Sequence, residues 1–199
     1  MATDRRAAGD ADAQHAVDVA MVRAAAGGDR GALAAVYVRY RPLVRGVLLA
    51  RLGPADADDV VQEVFMLAER KLTSLRDPQA VGAWLCTIAR SKAIDWLRAR
   101  KRERIDTGGG HNDDGDLVDN VSASSPEPSD VIEAKRVLRA IQELPEAYRE
   151  PLVLRLVEGM TGAEIAAHTG LTEGSVRVNL YRGMALLKER VGAVNGSAR

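Results

Sequence analysis

The stretch Thr161 to Arg190 (TGAEIAAHTGLTEGSVRVNLYRGMALLKER) constrains the fold more than any other part of the chain. Thr161-x-x-Glu164 is a capping-box pattern that opens a short helix. Ile165 and Ala166 follow, small or apolar and suited to a core. Gly170 supplies the positive φ that a sharp helix stop needs. Leu171 is expected to plug the angle between two helices, and Thr172 to cap the second through its hydroxyl. In that second helix Val176, Leu180, Gly183 and Leu187 fall on one side. Gly174, Arg177, Val178 and Tyr181 fall on another, with Arg182 beside them. The second stripe offers a close backbone approach, a cation, an apolar group and an aromatic. Those are the needs of a helix lying in a nucleic-acid groove. The plain alternative is a surface helical hairpin with scattered charge.

The charge pattern bears on that choice. The 28 basic and 28 acidic residues cancel, which argues against nucleic-acid binding only if they are evenly spread. They are not. Arg90 to Arg104 holds seven basic residues against two acidic ones, whereas Asp106 to Asp130 holds seven acidic residues and no Lys or Arg. Aromatics make up only 4%, which disfavours a large aromatic-lined ligand pocket. The single cysteine, Cys86, excludes an intramolecular disulfide and fits a reducing compartment. It lies in a helix rich in core residues, so a buried structural thiol is expected rather than a redox sensor. His15, His111 and His168 are far apart and lack metal-ligand spacing. No apolar run reaches membrane-spanning length, and the N-terminus has no apolar signal core. No catalytic residue, metal or cofactor is expected.

Along the chain the pattern is helical, with no β alternation. Residues 1–16 read as a disordered polar tail. Apolar residues recur at helical spacing from Gly31 to Leu52, where Pro42 is expected to kink or break the run. Gly53-Pro54 punctuates, a second helix follows from about Asp56 to Leu72, and Leu75 to Gln79 reads as a loop. A third helix runs from about Ala80 to Arg104. Residues 106–130, rich in Gly, Asp and Ser, read as a flexible acidic linker. Helical pattern resumes from Val131 to Val191, broken at Leu144-Pro145 and Gly159, and residues 192–199 read as a frayed tail. The expected fold is all-α. Two small helical domains, 17–105 and 131–191, are joined by the linker.

Two helices of the first domain carry further signals. In DADDVVQEVFMLAERKL, Val60, Val61, Val64, Leu67 and Ala68 form the expected buried side. Asp59, Gln62 and Glu63 stand together at i, i+3 and i+4, near Asp56, Asp58 and Glu69. Such a face is a solvated surface, a docking face for a basic or polar partner, or a divalent-cation site. The metal reading lacks a second ligand cluster. In AWLCTIARSKAIDWLRARKRER, Trp84, Leu85, Ile88, Ala89, Ile94 and Leu97 are expected in the core, and Trp96 partly exposed. The basic residues gather toward its C-terminal end, where they would attract phosphates. An exposed Trp96 would suit an unstacked base.

Taken in order, these two segments and LPEAYREPLVLRLVEGMTGAEIAAHTGLTEGSVRVNLYRGMALLKER resemble the group IV (extracytoplasmic function, ECF) sigma factors of the sigma-70 family. The resemblance covers roughly Val17 to Val191. LuxR-type regulators share the helix-turn-helix but lack the DDVVQEVF and WLxxIA blocks. The resemblance implies that the protein binds core RNA polymerase and directs initiation at promoters with −10 and −35 elements. Asp56, Asp59, Gln62, Glu63 and Phe65 would dock on the β′ clamp helices, with the β subunit a further contact. Leu75 and Arg76 belong to the loop, Leu75 to Gly82, that would receive a flipped −10 base. Trp84, Arg90, Ser91, Lys92, Trp96, Arg98, Arg100, Lys101 and Arg102 would recognise and melt the −10 region. Arg149, Thr172, Gly174, Ser175, Arg177, Val178, Tyr181 and Arg182 would serve the −35 element, with Arg149 at phosphates. An anti-sigma factor that covers these faces is a further implied partner, and the location is cytoplasmic, with sequestration at the membrane one route of control.

This chain departs from its relatives in places. Ser91 stands where many have Asn, and Val178-Asn179 replaces a commoner Ser-Arg pair, which puts base preference at both elements in question. Reach also matters. Boxes about 25 base pairs apart are separated by roughly 85 Å. A linker of about 25 residues spans about 25–30 Å relaxed and about 85 Å fully extended. It must therefore be stretched in use, and its acidity suits mimicry of nucleic acid in a basic channel. Two domains on such a tether can also clamp together. A stand-alone helix-turn-helix regulator and a carboxylate-based nuclease are the competing functions.

Overall fold

Helix α1 (17–26) ends in a turn through Gly28, and the Asp29 side chain opens α2 (Arg30–Leu49) by accepting the Ala32 N–H at 3.0 Å. The computed structural model describes residues 17–106 and 129–196. Pro42 lies inside α2 without ending it. Proline removes the hydrogen bond to the carbonyl four residues back. Here that residue is the exposed Val38, where water can serve the carbonyl. Pro54 occupies the first turn of α3 (Pro54–Lys71), where its missing N–H costs nothing. The expected loop after α3 contains two 3₁₀ turns, Leu72–Ser74 and Pro78–Ala80, the second capped by Asp77 accepting the Gln79 N–H. Helix α4 (Val81–Asp106) completes the first half.

The core of this half is built from Leu43, Val44 and Val47 of α2, Val60, Val61 and Val64 of α3, and Leu85, Cys86, Ala89 and Ala93 of α4. Ile94 and Leu97, expected in that core, are instead 44% and 36% exposed. At ~100° per residue Ile94 lies about half a turn from Leu85, so the stripe that buries Leu85, Ala89 and Ala93 points it outward. Cys86 is fully buried, and burial together with the nearby Glu150 carboxylate pushes its thiol up to about 12. It is a structural thiol.

The second half comprises α5 (Ser129–Gln142), α6 (Glu146–Leu156), α7 (Gly162–Thr169) and α8 (Glu173–Gly196). The expected capping box at Thr161 forms. Its hydroxyl accepts the Glu164 N–H at 3.2 Å, and its own N–H donates to the Glu164 carboxylate at 2.7 Å. That backbone bond, then the Thr161 hydroxyl, holds the Glu164 carboxyl below its ordinary range. Gly170 stops α7 at φ +77°, and the Ser175 N–H donates to Thr172 Oγ1 at 3.1 Å. Leu171 does not plug the angle between the helices. It is 38% exposed, and Ile165 and Val176 are the fully buried residues there.

The two halves pack against each other, α2 on α6 and α4 on α7, and their buried residues form one core. Of the tethered and clamped arrangements compatible with the sequence, the structure has the clamped one. Among the described residues every regular element is a helix. Residues 1–16, 107–128 and 197–199, which hold the expected tails and most of the linker, lie outside the described residues.

Candidate nucleic-acid interface

The stripe expected to meet a groove is presented on α8. Gly174, Ser175, Arg177, Val178, Tyr181 and Arg182 are all exposed, Tyr181 by 79%, while Val176, Gly183 and Leu187 of the opposite side are buried. Helix α8 thus holds a cation, an apolar side chain and a phenol on one outward face, as major-groove readout requires. Thr172 is exposed at the start of α8 and caps it. Arg149 stands differently from the rest. It is half-buried, and its Nε donates to the Leu144 carbonyl at 2.6 Å, closing the end of α5.

On α3, Asp59, Gln62 and Glu63 are exposed together, and Asp56 is half-buried on the same helix. Phe65 is half-buried, its ring 4.7 Å from that of Tyr37. Beside this face runs a groove of ≈ 470 Å³ walled by Leu33, Tyr37, Gln62, Phe65, Met66 and Trp84. Trp84, expected in the core, is a half-buried wall of this groove. No group of three or more His, Cys, Asp or Glu among the described residues is placed to hold a metal ion.

The residues expected at a −10 element are more heavily engaged. Leu75 is half-buried and Arg76 exposed in the turn before α4. Lys92 pairs with Glu63 at 2.8 Å and Arg100 with Asp56 at 2.7 Å, so the basic helix is partly neutralised by the acidic one. Arg100 also lies over the half-buried Trp96, 4.8 Å from the ring centroid. Ser91, Arg98, Lys101 and Arg102 are exposed. Arg90 turns toward the second half. Its Nε and Nη2 donate to the two oxygens of Glu150 at 3.1 and 2.7 Å, and this hydrogen bonding raises the Arg90 pKa further.

Glu150 had no place in the sequence expectations, nor did its other partner Arg51, which donates to it at 3.2 Å and to Glu146 at 2.9 Å. Gln142 was also missed. Its amide donates to the carbonyls of Leu49 and Leu52 at 2.7 and 2.8 Å, satisfying groups left over at the end of α2. The one local signal was at Glu150 itself, a charge placed directly before the buried run Pro151 to Leu154.

Comparison with known proteins decides between the competing families. The description "Sigma-70 region 2" matches residues 36–103, and "Sigma-70, region 4" matches residues 134–187. The ECF RNA polymerase sigma factor SigD of Mycobacterium tuberculosis is 35% identical over 188 residues, covering 90% of this chain and 86% of SigD. The ECF RNA polymerase sigma-E factor of Escherichia coli is 32% identical, covering 87% of this chain and 94% of that protein.

The chain belongs to the ECF sigma-70 family. In this sigma factor the region 2 match spans most of α2 together with α3 and much of α4, and the region 4 match spans most of α5 to α8. A solved structure of CnrH, in complex with the cytosolic domain of CnrY, superposes with a TM-score of 0.62 at 25% identity, covering 88% of this chain and 97% of CnrH. The family acts in transcription initiation, and the stand-alone regulator reading gives way to that of a sigma factor. No helix among the described residues is long and apolar enough to cross a membrane.

Proposed function

We propose that this sigma factor docks on core RNA polymerase through α3, with Asp59, Gln62, Glu63 and Phe65 at the centre of the contact. Residues 17–105 form the docking and −10 domain, 131–191 form the −35 domain, and residues 106–130 link them. On the promoter, Arg177 pairs with a guanine or a phosphate and Val178 lies against a thymine methyl. The −10 strand is captured by Leu75, Arg76 and the exposed part of α4. Opening the duplex costs a few kcal/mol per unstacked base, which a pocket for the flipped base partly recovers. The acidic linker mimics nucleic acid as it crosses the polymerase channel. The site of action is the cytoplasm, and an anti-sigma factor restrains the protein, a reading supported by the CnrH structure, where that relative is held by the cytosolic domain of CnrY.

One observation carries this reading. A single chain presents a polar, acidic face beside an apolar groove on α3, and a separate cation–apolar–aromatic stripe on α8. The test is transcription with core polymerase on a randomised-promoter library. New start sites sharing two upstream boxes are expected, and Asp59→Lys with Glu63→Lys should abolish them without changing duplex binding by α8. Unchanged initiation by that double variant would remove α3 as the docking face.

A further inference from the structure

We propose that Glu150 acts as a phosphate surrogate, holding the Nε–Nη2 edge of Arg90 against α6 so that this cation of the −10 surface is withheld from DNA while the −35 helix stays open. The inference rests on the −10 role proposed for Arg90. Glu150 is the buried charged residue among those described, 7% exposed. It takes the Nε and Nη2 edge of Arg90 with both oxygens. That planar fork is the edge a guanidinium offers to a phosphate, and it serves one anion at a time. Promoter phosphate and Glu150 therefore compete for the Nε–Nη2 edge of Arg90.

Contacts without any charge on them make the closure specific. Gly46 of α2 faces α6 so closely that a Cβ there would lie 2.7 Å from Leu154 Cδ2 and 2.9 Å from Glu158 Cγ. Leu154 is fully buried. A Cβ on Gly82 of α4 would overlap the His168 ring of α7. Gln142 adds its two bonds to the end of α2. Gly46, Gly82 and Gln142 are needed by neither half alone, and each is accounted for by the contact between them. The exposed stripe of α8 takes no part in that contact, so the closed chain can approach a −35 duplex before Arg90 is free to engage a −10 strand.

The full-length chain tests this with nitroxides at Arg70→Cys and Lys188→Cys, two exposed positions on opposite halves. The partner measurement is the affinity for a labelled, random-sequence single-stranded oligonucleotide. Glu150→Gln removes the surrogate charge. Gly46→Ala keeps every charge and separates the halves by volume alone, so it controls for the simple electrostatic effect of the first variant. Both should broaden and lengthen the spin–spin distance and tighten DNA binding by about tenfold, as expected when the competent form rises from about a tenth of the population. The gain should vanish when Arg90→Ala is added. An unchanged distance in both variants would overturn the latch. So would an opened chain that binds DNA no better than the parent, provided Arg90→Ala weakens binding in it. If Arg90→Ala has no effect on the opened chain, the −10 role of Arg90 is what fails, and the surrogate falls with it.

Discussion

The two surfaces proposed to read DNA stand in opposite conditions. On α8 the reading side chains point into solvent, and Tyr181 is among the most exposed large side chains of the chain. On α4 three of the corresponding cations are committed: Arg90 to Glu150, Lys92 to Glu63 and Arg100 to Asp56. The difference follows from where each helix lies. Helix α8 packs through one side on α5, α6 and α7 of its own half, whereas α4 meets α3 and, across the contact between halves, α7. A surface built on a self-contained packing unit stays available. On α4 the Arg90 pairing crosses to the other half and ends when the halves part, whereas those of Lys92 and Arg100 are made with α3 of the same half.

Three measurements sharpen or break that contrast. The largest effect is expected from Leu154→Ala, which empties a fully buried site between α6 and Gly46. It should cost about 2–5 kcal/mol. Calorimetry should show the transition that unfolds the second half moving to lower temperature. A transition of that half that stays in place would mean that Leu154 contributes nothing to its packing. Next in size is Arg177→Ala. Losing one base or phosphate contact on α8 should weaken −35 duplex binding by ~1–3 kcal/mol and leave the spin–spin distance between the halves unaltered. A change in that distance would tie α8 to the closure after all.

The smallest effect concerns acid. His168 lies in the contact between the halves, with Tyr40 edge-on at 6.3 Å, and burial lowers its pKa. Glu164 on its own helix and Asp18 favour its proton, while Arg39 opposes it. A histidine lowered on closing takes up its proton more readily in the open or unfolded chain. Stability is therefore fully present above the ordinary histidine value and is lost as pH falls from there through the lowered one. Spin-pair distances should lengthen on going from about pH 7.5 to about pH 5.5, and His168→Gln should flatten that dependence. The Glu164 carboxyl, lowered by its cap, contributes in the same direction only at more acidic pH, so a profile breaking there instead would identify the cap as the sensitive group.

Much of the candidate site was legible because it is local. Thr161 with Glu164, Gly170, and Thr172 each act on backbone within a few residues, so their identities suffice to place α7 and α8. The outward stripe of α8 follows from helical phase once that start is fixed. Phase also explains the failures. Ile94 carries a core residue type, although its angle from Leu85 turns it outward, and Leu97 lies near the buried stripe but one turn beyond Ala93, its last fully buried residue. Leu171 was given a packing role on position in the motif, and the angle was filled by Ile165 and Val176.

Sequence by itself determined the all-helical class, the order of the helices, their caps, and which side chains α3 and α8 expose, since those depend on short-range hydrogen bonds and a period of 3.6 residues. Only the tertiary structure decided that the halves close on each other and that Arg90 meets Glu150, 60 residues away. That pairing depends on a glycine, an amide and a carboxylate from separate helices arriving at one place. No spacing along the chain encodes such a meeting, because it is fixed by shape complementarity between surfaces formed only after each half has folded.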